Sequence, residues 1–306
     1  MATPMTSRPT ADRPLLVGLL VDVSGSMTTS INNVSGRSTT RLDSLRDSLD
    51  DLIARAAKLC QEGTGGEVSP RVRLFAYGFG FGNPLSYLLG DSGSSVRDLL
   101  DLGDGPQSAL GIDTLAREWQ KYRQHIGGLV VKMLGDTPMA RAFRIVADRV
   151  RSECADWQYT PPPILFVVSD GEPTDEPAST VRELAQDLKR TGTTIVSCLL
   201  TAQDVIEPRR LYGSAQPHWP EGARLMFDCA SALPANSPFD AYFRENRWVV
   251  DAAGRLFTQI NQSEVLREFS KAVLSPLASS ESGSSHPGYT VRVFVTYSHQ
   301  DSDLRN

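Results

Sequence analysis

The apolar run Leu15–Val21 passes without a break into Asp22-Val23-Ser24-Gly25-Ser26. A continuous apolar stretch of this kind fits a strand covered on both faces in a parallel sheet. The segment that follows is polar and ligand-like, and it sits where such sheets place their ligands, beyond the carboxyl end of a strand. Two other segments share this character: Gly135-Asp136-Thr137-Pro138, and Ser169-Asp170-Gly171-Glu172-Pro173-Thr174-Asp175. Together the three loops offer the oxygen side chains of Asp22, Ser24, Ser26, Thr137 and Asp170. Carboxylates and hydroxyls suit a hard divalent cation such as Mg²⁺, which takes oxygen ligands in an octahedron at roughly 2.0–2.1 Å. All three segments lack Cys and His, which makes zinc and iron–sulfur clusters poor candidates.

The rest of the chain alternates between the two periodicities. Arg41–Leu59 has helical spacing, with Leu42, Leu45, Leu49, Leu52, Ile53, Ala56 and Leu59 on one face. Val72–Phe81 reads as a strand ended by Gly82-Asn83-Pro84, and Ile112–Lys132 as a helix. Thr137-Pro138 reads as a helix opening, with Thr as cap and Pro in the first turn, leading into a helix over Met139–Cys154. Strands are expected at Ile164–Ser169, Thr193–Leu200 and Gly254–Ile260, and helices at Ala178–Arg190 and Ser263–Leu274. Strands alternating with helices point to an α/β fold: a doubly wound, mostly parallel sheet flanked by helices.

The three polar segments resemble the metal-ion-dependent adhesion site of von Willebrand factor A (VWA) domains. That pattern is Asp-x-Ser-x-Ser, then a lone Thr, then Asp in a (Thr/Ser)-Asp-Gly context. Asp22, Ser24, Ser26, Thr137 and Asp170 match it in order. The resemblance covers residues 14–275 and implies the Rossmann-like VWA fold. It also implies that Ser24, Ser26 and Thr137 bind Mg²⁺, or Mn²⁺, through their hydroxyls, while Asp22 and Asp170 hold it partly through water. Neutral hydroxyls would leave the cation's charge partly uncompensated, so that a partner protein could offer it a carboxylate. Glu172, Thr174 and Asp175 are expected on the rim that such a partner meets.

Enzyme chemistry finds less support in the residues. Ser24 lacks a G-x-S-x-G elbow, and His125, His218, His286 and His299 are scattered. Gly78-x-Gly80-x-Gly82 reads as a glycine-rich turn rather than the G-x-G-x-x-G that opens a nucleotide-binding helix. The net charge of −5 gives no bulk attraction to nucleic acid or anionic lipid. The four cysteines, Cys60, Cys154, Cys198 and Cys229, form no C-x-x-C pair and read as reduced thiols of a cytoplasmic protein. The N-terminal segment 1–13 is polar and expected to be flexible, without the apolar core of a secretory signal. No catalytic residue is assigned.

Two segments depart from a minimal VWA domain. Residues 202–253 form a long insertion with Trp219, Phe227, Phe239, Tyr242, Phe243 and Trp248, expected to pack at the sheet edge or to bind a partner. Residues 276–288 read as a Ser/Gly/Pro linker. Beyond it, Val291-Arg292-Val293-Phe294-Val295-Thr296-Tyr297-Ser298-His299-Gln300-Asp301 resembles the opening strand of a Toll/interleukin-1 receptor (TIR) domain. Residues 289–306 would then be the first strand of a truncated TIR-like domain, in a chain cut from a longer protein. The resemblances imply a Mg²⁺-dependent protein-binding module that recruits or regulates a TIR effector in a bacterial signalling or conflict system. The alternatives are a stand-alone VWA protein like those of tellurite-resistance systems, and part of an NAD-cleaving TIR enzyme.

Overall fold

The computed structural model describes residues 8–31, 39–63, 65–82, 95–103, 108–129 and 135–278. Residues 1–7, most of the segment expected as a linker (276–288) and the segment expected as a TIR-like strand (289–306) lie outside them. The strands are β1 (Leu15–Asp22), β2 (Ser30–Ile31), β3 (Thr39–Thr40), β4 (Val72–Phe81), β5 (Ser95–Asp98), β6 (Leu110–Gly111), β7 (Ile164–Ser169), β8 (Thr194–Leu200), β9 (Arg210–Leu211), β10 (Val249–Val250) and β11 (Phe257–Ile260). The helices are α1 (Arg41–Cys60), α2 (Ile112–Leu129), α3 (Met139–Asp156), α4 (Ala178–Arg190), α5 (Glu221–Cys229), α6 (Pro238–Glu245), α7 (Ser263–Lys271) and α8 (Ser275–Ala278).

The main sheet runs β11-β8-β7-β1-β4-β5, with β6 paired to β4. The pairs from β11 through to β4 are parallel, and β5 and β6 lie antiparallel to β4. Alternation along β1 divides the core. Leu15, Val17, Leu19 and Val21 face the side covered by α1, α2, α6, α7 and α8, whereas Leu16 and Leu20 face α3, α4 and α5. All of β1 is buried, as a strand sandwiched between two helical layers requires. The doubly wound α/β architecture expected from the alternating pattern is therefore the one observed.

The chain leaves β1 for α1 on one face of the sheet and leaves β7 for α4 on the other. Adjacent strands β1 and β7 thus diverge at their carboxyl ends, which opens a crevice between them. This is the switch point at which open α/β sheets bind ligands.

Three expectations need correction. The Gly78–Gly82 segment is not a turn as far as its described residues go: Gly78 and Gly80 belong to β4, and the register with β5 shifts between Phe79 and Phe81. Gly80 is the bulged residue, with φ +103°, and a Cβ there would lie 2.6 Å from the Ser24 nitrogen. That conformation and that closeness both demand glycine. The first residues of the expected 276–288 linker belong to a helix instead. Ser275–Ala278 is helical, and Leu277 is buried. Finally, Gly254–Leu256 precedes the last strand, which starts at Phe257.

The 202–253 insertion wraps the β11 edge and adds to both core layers. On the α5 side, Trp219 stacks edge-on against Tyr212, Phe227 and Phe257. On the other side, Phe243 and Trp248 pack on each other and on Phe269 of α7. Arg209 forks onto the Glu268 carboxylate at 2.8 and 3.0 Å, and the Tyr242 hydroxyl donates to the Glu268 carbonyl at 2.6 Å. The insertion is therefore packed structure at the sheet edge.

Candidate metal centre

Asp22 is the last residue of β1, and Asp170 follows the last residue of β7. Strand pairing alone brings the two loops side by side. Asp22 Oδ1 accepts from its own loop, from the Ser24 amide at 2.9 Å. Its Oδ2 accepts from the Ser169 hydroxyl at 2.7 Å. The Ser24 and Ser26 hydroxyls lie 3.1 Å apart, and Ser26 Oγ donates to Asp170 Oδ1 at 2.7 Å. Asp170 Oδ2 is taken by the Arg41 guanidinium. Four of the five expected ligands are thus joined in one chain of hydrogen bonds.

Thr137 reaches the same place through its backbone. Gly25 N donates to the Gly135 carbonyl at 3.2 Å, and Gly135 N to the Gly80 carbonyl at 2.7 Å. On the other side, Thr137 N donates to the Thr174 hydroxyl, and Thr174 N to the Thr137 carbonyl, both at 3.0 Å. The Thr137 loop is therefore pinned between the Asp22 and Asp170 loops. Among the described residues, no hydrogen bond joins the Thr137 hydroxyl to the other four side chains. Thr137 does not cap α3, contrary to expectation: the cap position is Pro138, which has no side-chain bond to give. Asp175 does that work from the neighbouring loop, accepting from the amides of Ala140 at 3.2 Å and Arg141 at 2.8 Å. An anionic group on these free amides also complements the helix dipole.

The three residues expected on a partner-facing rim are exposed, but their polar atoms are engaged within the chain. Thr174 binds Thr137, and Asp175 caps α3. Glu172 accepts from the Gly222 amide at the start of α5, at 3.2 Å. Gly222 allows this approach, since a Cβ there would stand 3.1 Å from the Gly171 carbonyl. The Asp170 loop is thereby held against the insertion.

Electrostatics separates this cluster from an ordinary polar patch. Asp22 is fully buried, and burial pushes its carboxyl up to about 6 from 3.8, with the nearby Asp170 charge adding to the shift. The bonds from Ser24 and Ser169 pull the other way. Two buried carboxylates at close range, faced by hydroxyls and one guanidinium, are short of positive charge. A divalent cation supplies it, and the donor set of Asp22, Ser24, Ser26, Thr137 and Asp170 is of the hard oxygen type that Mg²⁺ and Mn²⁺ accept. No group of three or more His, Cys, Asp or Glu side chains occurs among the described residues, so a soft, zinc-type cage is not seen there. The cysteines offer no activated nucleophile: burial pushes the thiols of Cys60 and Cys229 up to about 11 and about 12.

Ser169, Gly80 and Arg41 are the participants that motif reading missed. Ser169 carried a signal, standing directly before Asp170. Gly80 and Arg41 carried none, because they reach the site only through the fold.

No family model and no curated protein sequence matches the chain. Solved structures do resemble it. The pilus adhesin SpaC of Lactobacillus rhamnosus GG is 14% identical with a TM-score of 0.53, over 89% of this chain and 31% of that one. A von Willebrand factor type A structure from Catenulispora acidiphila is 12% identical with a TM-score of 0.48, over 87% of this chain and 43% of that one. Proximal thread matrix protein 1 of the mussel byssus, with a zinc-occupied MIDAS motif, is 14% identical with a TM-score of 0.46, over 89% and 49%. The chain thus spans less than half the length of each of these proteins. No helix among the described residues is long and apolar enough to cross a membrane. At these identities the likeness is one of fold alone, and it agrees with the doubly wound α/β arrangement described above.

Proposed function

We propose that this chain is a Mg²⁺-dependent protein-binding module, with Mn²⁺ as an acceptable substitute. The observation that carries the proposal is the buried residue Asp22 beside Asp170, whose side chain is also shielded from solvent, at the β1/β7 switch point next to the Ser24 and Ser26 hydroxyls. Asp22, Ser24, Ser26, Thr137 and Asp170 would hold the cation. When bound, it supplies a positive charge at the sheet's carboxyl edge that a partner protein's carboxylate can meet. Ser169 orients Asp22, and Thr174 and Asp175 brace the Thr137 loop and α3, so the ligand loops are held in place before the cation arrives. Pre-positioning of this kind lowers the ordering cost of binding. The chain is proposed to work by binding rather than by catalysis. The resemblance of Val291–Asp301 to a TIR opening strand supports a further layer, in which the module recruits or regulates a TIR effector in the bacterial cytoplasm.

Calorimetry of Mg²⁺ and Mn²⁺ binding, paired with a pull-down with and without Mg²⁺, tests this reading. The expected result is cation binding that is lost in Asp22→Ala, and partner capture that needs the cation. Undiminished cation binding in that variant would overturn the assignment.

A further inference from the structure

Arg41 is the first residue of α1, whose start is capped by the Thr40 hydroxyl accepting from the Asp43 amide at 3.0 Å. This is an unfavourable place for a cation, because the amino end of a helix already carries partial positive charge. Burial adds a desolvation cost, since the Arg41 side chain is only 8% exposed and that of Asp170 is 0% exposed. Among the described residues, Arg41 Nε has no hydrogen-bond partner. The contact that offsets these costs is the ion pair with Asp170 Oδ2. Among the described residues, no other cationic side chain pairs with Asp170 or Asp22.

The charge balance of the site follows. Asp22 and Asp170 with Arg41 leave one net negative charge when both carboxylates are ionised; without Arg41 they leave two. A divalent cation therefore meets a site already half neutralised, with one carboxylate oxygen of Asp170 engaged by Arg41 and the other by Ser26. Like charges at this range repel strongly where water is excluded.

Resting on the proposed metal reading, we propose that Arg41 is a resident counter-charge that competes with the divalent cation for Asp170. It stabilises the metal-free chain and weakens cation affinity. The guanidinium stands in for the metal when the metal is away, so the module folds without the cation and responds to its concentration.

The test titrates Mg²⁺ and Mn²⁺ alone into the full chain by calorimetry, for the wild type, Arg41→Gln and Arg41→Lys. Thermal melts with chelator and with each metal accompany the titrations. Arg41→Gln is expected to bind the cations at least tenfold more tightly, to melt lower than wild type in chelator, and to gain more from added metal. Arg41→Lys, which keeps the charge, should stay closer to wild type. Arg41→Gln that folds only when Mg²⁺ is present would also support the proposal. Equal or weaker cation binding by Arg41→Gln, beside a wild type that binds, would overturn it while leaving the metal reading intact. So would an Arg41→Gln chain that stays unfolded with and without metal. Cation binding by Arg41→Gln alone would support it, and binding by none of the three would overturn both readings.

Discussion

The Ser169 hydroxyl donates to Asp22 Oδ2 at 2.7 Å, tying the carboxyl ends of β7 and β1 together at the point where the chain leaves them in opposite directions. The bond stabilises an ionised Asp22, yet burial and Asp170 outweigh it and hold the carboxyl near 6. Ionising Asp22 at neutral pH therefore carries an electrostatic cost in the folded chain.

Asp22→Asn should relieve that cost and abolish cation binding. The amide keeps an acceptor for the Ser24 amide and loses the buried charge. A carboxyl whose folded value, about 6, lies above its unfolded 3.8 keeps its proton longer in the native chain. Its contribution to metal-free stability falls as pH rises from about 4 to about 6 and stays low above that. The variant should thus match wild type near pH 4 and exceed it above pH 6, by about 1–3 kcal/mol at pH 7 in chelator. Denaturant titrations across this range check it, and a variant less stable than wild type at pH 7 would contradict the sign. Added Mg²⁺ should stabilise the wild type increasingly with pH through the same window, since the proton must leave first.

Asp175→Ala should destabilise the chain by about 1 kcal/mol, the usual worth of a helix cap. It removes the acceptor for two amides of α3, and Thr137 has no hydrogen bond that would replace it. Urea unfolding measures the loss. Cation affinity should weaken modestly as well, because α3 follows directly on the Thr137 loop.

Gly80→Ala should cost more than about 1 kcal/mol, because the residue needs φ +103° and the added methyl would stand 2.6 Å from the Ser24 nitrogen. The displaced group belongs to the metal loop, so cation affinity should fall together with stability. Gly103→Ala, at φ +100° with open space around it, is the control: strain without contact should lower stability and leave affinity unchanged.

Trp219→Ala should cost roughly 3–5 kcal/mol, the range for a buried aromatic removed from a core. Trp219 is 5% exposed and packs on Tyr212, Phe227 and Phe257. A loss below about 1 kcal/mol in thermal or chemical unfolding would show that the insertion is dispensable decoration rather than core.

The main elements of the fold were legible in the sequence because β1 and β7 are continuous apolar runs and α1 and α4 have clean helical spacing. The five candidate ligands were legible too, since each sits within a short local pattern at or near an element's end. What the sequence by itself determined is a doubly wound sheet with oxygen-bearing loops at its carboxyl edge. The tertiary structure decided the rest. Arg41 meets Asp170 across 129 positions of chain, and Ser26 meets the same carboxylate across 144. Asp175 caps a helix that begins well before it in the chain, and Gly80 makes room for Ser24 from the neighbouring strand. Local pattern reports what a residue's own backbone will do, through the periods of helix and strand. Which charge neutralises a buried carboxylate, and which carboxylate caps a helix, depends on groups that only the folded sheet brings within hydrogen-bond reach.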